Sequence, residues 1–216
     1  MENINEIELR AHENSIIAKK EIVFADELKK FAKEELKKAQ AREALIRRDL
    51  SLAQIGEELA KENRKIAEKK TKSKHLLKIP EILLERDKEF SVYNEKLSHN
   101  QKQIAEINKE IAKLERKIGQ KRIDLAKEKK KLAKIRLSIS KKQFEYVKAI
   151  KEKHKKIKAK DIKAQIKDEQ NELNNARNDV LELENDIRKK SNKIADLKGK
   201  LSIKLADYGK IRYNYE

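Results

Sequence analysis

The sequence predicts an all-α protein made of an elongated antiparallel coiled-coil hairpin and a third long helix. Its 216 residues are 44% charged and 4% aromatic, with one Pro and four Gly, a balance typical of long helices. Small residues recur at every seventh position, which is the period of a coiled coil. Large apolar residues recur with the same period one position earlier. A disordered chain of this charge has no reason to keep such a phase, so we favour folded helices.

The small residues define the predicted seam between the first two helices. Small side chains let two helix backbones approach closely, and a strict seven-residue repeat keeps them facing one partner. The predicted helix-packing seam consists of Ala11, Ala18, Ala25, Ala32, Ala39, Ala53, Ala60, Ala105, Ala112, Gly119, Ala126 and Ala133.

The large apolar stripe of the first helix widens its apolar face beyond one seam. It contains Ile17, Phe24, Phe31, Leu45, Leu52, Leu59 and Ile66. Further apolar residues, Ile22, Leu28, Leu36 and Leu50, lie outside both stripes. A face that wide calls for a second neighbour, which we expect to be the third helix or another protomer.

Helix-capping and helix-breaking residues along the chain predict the element boundaries. We predict helix one over residues 1–70, with Asn3 as its cap, and a turn over 71–79. Helix two covers 80–150 and begins at Pro80, a residue that the first helical position tolerates. The seven-residue apolar repeat shifts by one position between Tyr146 and Ala159. We therefore predict a basic turn or a helix irregularity over 151–160. Helix three covers 161–209 and ends at Gly209, followed by a tail over 210–216.

An antiparallel hairpin fixes which residues of the two stripes face each other. A turn near residues 71–80 predicts Ala32 opposite Gly119 and Ala25 opposite Ala126. Small residues then meet small residues at almost every step. Because both stripes repeat by seven, a slip of one whole heptad gives nearly the same matching.

Positive charge is concentrated in one window. The net charge is +18, and residues 113–163 alone hold 21 Lys and Arg against six Asp and Glu, or +15. Such a field attracts phosphate-bearing surfaces, whether anionic membrane or nucleic acid. A lysine-rich solvated helix face is the simpler alternative. The predicted anionic-surface residues are Lys129, Lys130, Lys131, Lys141, Lys142, Lys153, Lys155, Lys156, Lys158 and Lys160.

Catalytic chemistry has no support in the sequence. The four His residues lack metal-ligand spacing, the four Gly residues are isolated, and Cys is absent. We therefore expect no enzyme activity, no metal, no cofactor and no small-molecule substrate. The predicted function is a structural scaffold whose basic end engages an anionic surface. The alternative is a stalk or adaptor subunit of a secretion- or rotary-type assembly, with the basic face docking acidic subunits.

Location and partners follow from the same composition. No apolar run approaches the roughly 18–20 residues of a membrane span, and the start of the chain is acidic rather than signal-like. We expect a cytoplasmic protein, or one peripheral to a membrane. The wide apolar face predicts a homo-oligomer or a helical protein partner.

Overall fold

A computed structural model describes residues 3–73, 80–152 and 156–213, without the side chains of residues 156 and 157. Within these ranges the chain forms three helices and no strand. Helix α1 spans Ile4–Lys72, helix α2 spans Glu81–Lys151, and helix α3 spans Lys156–Tyr213. The predicted all-α class is confirmed.

The helix ends show how local chemistry sets the boundaries. Asn3 caps α1, because its side-chain oxygen accepts a hydrogen bond from the backbone N–H of Asn5 at 3.3 Å. The carbonyl of Pro80 accepts from the N–H of Leu83 at 3.0 Å, so Pro80 immediately precedes α2. The predicted end at Gly209 is wrong, since α3 continues through it to Tyr213. A single helical Gly weakens a helix without ending it.

The chain divides into two compact units, and each helix contributes to both. The first unit is Met1–Leu36 with Ile118–Lys189. The second unit is Lys37–Lys117 with Lys190–Glu216.

In the first unit, α2 contacts α1 on one side and α3 on another. Glu21 of α1 pairs with Arg136, and Asp26 pairs with Lys130 at 2.6 Å, so the two helices run antiparallel. Small residues are buried along this contact: Ala11, Ala18, Ala25, Ala32, Gly119, Ala126 and Ala133. The contact between α2 and α3 includes larger side chains, and Ile135, Ile139 and Ala176 lie at the centre of one apolar cluster there.

The second unit repeats this arrangement with its own contacts. Arg64 of α1 pairs with Glu95 of α2 at 2.6 Å, and Lys193 of α3 pairs with Glu110 of α2 at 2.8 Å. Four of the small seam residues of this unit, Ala39, Ala60, Ala105 and Ala112, are buried, and Ala53 is half-buried.

The pairing register differs from the predicted one by about a heptad. The predicted register puts residue 130 opposite Glu21, whereas Glu21 pairs with Arg136, six residues further along α2. Gly119 accordingly lies against Leu36, whose Cα is 3.1 Å from where a Cβ on Gly119 would sit, rather than against Ala32. The stripes could not exclude this shift, because each repeats every seven residues.

The large stripe of α1 is exposed in both units. In the first unit it presents Ile17, Phe24 and Phe31 to solvent, and in the second Leu45, Leu52, Leu59 and Ile66. The apolar residues outside that stripe, Ile22, Leu28, Leu36 and Leu50, are the half-buried or buried ones. Of the two expected neighbours of this wide face, the third helix or another protomer, the third helix does not cover the large stripe in the described part of the chain.

Candidate functional site

The lysines in the basic part of α2 in the first unit have different surroundings. Some pair with α1, some pair with α3, and some are exposed. Lys130 points towards α1 and donates to both carboxylate oxygens of Asp26, at 2.8 and 2.6 Å. This hydrogen bond is the main reason that the pKa of Asp26 lies below its ordinary value. Lys130 therefore has its charge compensated between two helices.

Two further predicted lysines point towards α3. Lys129 pairs with Glu184 at 2.8 Å, and Lys142 pairs with Glu169 at 3.0 Å. Both acids belong to a segment, residues 164–187, that holds seven Asp and Glu against two Lys and Arg. The charge of Lys129 and Lys142 thus contributes to helix packing.

A third set of lysines is exposed to solvent. Exposed lysines recur at every seventh residue of α2, at Lys127, Lys134, Lys141 and Lys148. Lys127 pairs with Asp124 at 3.1 Å, whereas Lys134, Lys141 and Lys148 make no ion pair within the described part of the chain. We call Lys134, Lys141 and Lys148 the outward lysine row.

The predicted site residues therefore separate into distinct environments. Lys131, Lys141, Lys158 and Lys160 are exposed and form no ion pair with another described residue. The side chain of Lys156 and the whole of Lys153 and Lys155 lie outside the described residues. Sequence reasoning missed Lys134 and Lys148, although their seven-residue spacing from Lys141 is a signal that could have found them.

A groove of about 670 Å³ lies beside this surface in the first unit. Its apolar lining includes Ile7, Tyr146 and Ile166, and its basic lining includes Lys160 and Lys167. The groove thus combines apolar and basic lining residues.

The neighbouring residues Lys141 and Lys142 give a matched test of this division. Lys142→Glu should lower the free energy of unfolding by about 1–2 kcal/mol, because it sets a carboxylate against Glu169 where an ion pair stood. Lys141→Glu should change it by less than about 0.5 kcal/mol, as for an exposed residue. Urea unfolding followed by circular dichroism measures both values. Equal losses in the two variants would contradict the division into paired and free lysines.

The described residues contain neither a candidate metal site nor a candidate membrane-spanning helix. No group of three or more His, Asp or Glu side chains there could hold a metal ion. No helix in that part of the chain combines the length and apolar character needed to cross a membrane.

Comparisons with protein-family models, with curated proteins and with solved structures give no match to this chain.

Proposed function

We propose that this protein is a non-catalytic coiled-coil scaffold whose basic part, about residues 113–163, engages an anionic surface, either a membrane or a nucleic acid. In this proposal α1 and α2 are the two arms of a coiled-coil hairpin. The protein works without a cofactor, in the cytoplasm or at the periphery of a membrane. The outward lysine row is the observation that carries the proposal.

The spacing of the row supports simultaneous contact with one surface. Seven residues of helix correspond to about 10.5 Å, and the side chains drift by only about 20° per heptad. Lys134, Lys141 and Lys148 therefore point to one side of α2. Because these lysines are exposed and form no ion pair in the described part of the chain, their charge is available to phosphate groups.

The side-chain chemistry supports contact with phosphates rather than with bases. Lysine is a compact point charge and lacks the forked geometry with which arginine reads guanine. The nearest aromatic residues, Phe144 and Tyr146, are half-buried, and Tyr146 packs against an apolar cluster. Binding should accordingly show little sequence preference and depend strongly on salt.

A second function is supported by the exposed apolar stripe of α1. Large exposed apolar patches mark protein interaction sites. A stalk or adaptor subunit of a secretion- or rotary-type assembly would bury that stripe against another subunit. In such an assembly the outward lysine row would pair with acidic subunits.

Charge reversal of the row tests the proposal. The variant K134E/K141E/K148E should bind vesicles containing phosphatidylserine, or duplex DNA, about 100-fold more weakly at low salt, because each lysine near such a surface contributes about 1 kcal/mol. The control K37E/K65E/K109E reverses three exposed lysines of the second unit that make no ion pair in the described residues, so both variants have the same net charge. Circular dichroism should show unchanged helicity in both.

The pair of variants separates the possible outcomes. Loss confined to the row variant supports the proposal. Equal loss in the control would mean that overall charge, rather than this surface, drives binding. If the wild-type protein binds neither vesicles nor DNA at low salt, the assembly function replaces the scaffold function.

A further inference from the structure

The second unit presents a ridge of exposed apolar side chains. Leu45, Leu52, Ile55, Leu59 and Ile66 of α1 are between 50% and 64% exposed. Four of them recur at intervals of seven residues, as in a helix that packs against another helix. We call these five residues the α1 ridge.

A notch lies beside the middle of the α1 ridge. It is a cleft of about 410 Å³ between α1 and α2, with Ala53 and Gly56 on α1 and Ala105 on α2 among its lining residues. A Cβ added at Gly56 would meet no atom within 4 Å, so there is open space at this point. The same surface therefore carries large apolar side chains and a notch that can accommodate a large side chain of a partner helix.

The ridge is symmetric about the midpoint between Ile55 and Gly56. Leu52 and Leu59 lie at equal distances in sequence from that point, and so do Leu45 and Ile66. An identical ridge running antiparallel would therefore set Leu52 opposite Leu59 and Leu45 opposite Ile66. Ile55 of each copy would face the notch at Gly56 of the other.

Two charged residues beside the ridge have nearly the same symmetry, because Arg48 and Glu62 are equidistant in sequence from Ile55, half a residue from the ridge midpoint. Arg48 and Glu62 are exposed and make no ion pair within the described part of the chain. They are 14 residues apart on one straight helix, about 21 Å, so they cannot pair within α1. In the antiparallel arrangement Asn63 of one copy lies directly opposite Arg48 of the other. Glu62 is one residue away, about 1.5 Å along the helix, so an ion pair between Arg48 and Glu62 can form twice.

We infer that the α1 ridge of the second unit docks a second copy of this chain, antiparallel, across a two-fold axis between Ile55 and Gly56. Each ridge side chain exposes on the order of 80–100 Å² of apolar surface. Burying both ridges removes about 900 Å² from water before any flanking residue is counted, close to the roughly 1,000 Å² that a specific interface should exceed. Because the same patch serves both copies, the dimer closes. This inference does not depend on the anionic-surface function.

Sedimentation equilibrium of the full chain tests self-association. We expect a concentration-dependent change from 25.4 kDa towards twice that mass. The variant L52E/L59E should remain monomeric at every concentration with unchanged helicity, since both side chains are exposed. A matched variant of exposed alanines beside the ridge, A41E/A44E, lies outside the paired residues and should still dimerise. A wild-type protein that stays monomeric overturns the inference and leaves the ridge to another protein.

Charge exchange and cross-linking test the antiparallel register. R48E and E62R should each weaken dimerisation about tenfold, and R48E/E62R should restore it, since the pair is reformed with its signs exchanged. The natural chain has no Cys, so single cysteines can be added without interference. I55C, next to the axis, should form an intermolecular disulfide on oxidation, whereas L45C, opposite Ile66, should not. Equal cross-linking of the two would show a parallel pairing, and failure of the double exchange to restore dimerisation would show another register; either result overturns the inference.

Discussion

Replacing Gly119 by Leu is expected to lower the free energy of unfolding by about 2–3 kcal/mol. A Cβ at this position would lie 3.1 Å from the Cα of Leu36 and 3.3 Å from its Cβ. Backbone atoms of the neighbouring helix cannot rotate away, so α1 and α2 must separate locally. That cost exceeds the gain of about 0.8 kcal/mol that Leu brings over Gly in a helix.

Gly199 provides the matched control for this substitution. It is exposed on α3, and a Cβ there would meet no atom within 4 Å. Gly199→Leu should therefore raise the free energy of unfolding by about 0.5–1 kcal/mol through helix propensity alone. Urea unfolding of both variants measures the difference. If Gly119→Leu stabilises the protein as Gly199→Leu does, the close approach of α1 and α2 in the first unit is wrong.

Removing the carboxylate of Glu57 should cost about 1–3 kcal/mol at pH 7. Glu57 is a buried acid in the second unit, only 4% exposed. Lys102 lies 2.8 Å from one carboxylate oxygen, and His99 lies 2.9 Å from the other. Glu57→Gln replaces this charged acceptor by an amide and leaves the positive charge of Lys102 less well compensated. The exposed neighbour Glu58 serves as a control, because Glu58→Gln should change the stability by less than about 0.5 kcal/mol.

The contribution of Glu57 should also depend on pH. Hydrogen bonds from Lys102 first and His99 second lower the pKa of Glu57 from 4.5 to about 2. Because the pKa in the folded protein lies below that in the unfolded chain, the stabilisation is fully present above pH 4.5 and is lost as the pH falls towards 2. The stability difference between wild type and Glu57→Gln should therefore shrink across that range. A difference that stays constant from pH 7 to pH 2.5 would contradict the assigned role of the carboxylate.

The small residues were the part of the fold most accessible to sequence reasoning. Ala11, Ala18 and Ala133 are fully buried, as a seam with a seven-residue period requires. Pro80 likewise marked the start of α2 to within one residue. These features are local or periodic, so they can be read without knowledge of the partner helix.

The register was not accessible, because the information that fixes it is not periodic. The ion pair of Glu21 with Arg136 and the buried Glu57 beside Lys102 distinguish one heptad offset from the next. Such pairs become visible only when two helices lie side by side. The sequence contains many acids and lysines at suitable positions, so no single pair could be selected in advance.

The candidate site was predicted at the level of the segment but not of the residue. Total charge identified the window that contains Lys129, Lys141 and Lys142, but only Lys141 of these is free of an ion pair in the described part of the chain. Whether a lysine faces α3 or solvent depends on which side of α2 receives the acidic segment. That choice is made by tertiary packing, which composition does not report.

The most direct test of the central claim is the salt dependence of binding by the wild-type protein. Purified full chain would be titrated into phosphatidylserine-containing vesicles, neutral vesicles and duplex DNA of two unrelated sequences, at salt concentrations from about 50 to 200 mM. We predict binding to anionic vesicles, to DNA, or to both at low salt, with affinity that falls steeply as salt rises, no binding to neutral vesicles, and equal affinity for the two DNA sequences. An affinity that does not change with salt, or no binding to any anionic surface at the lowest salt, would contradict the claim that free lysines on α2 engage an anionic surface.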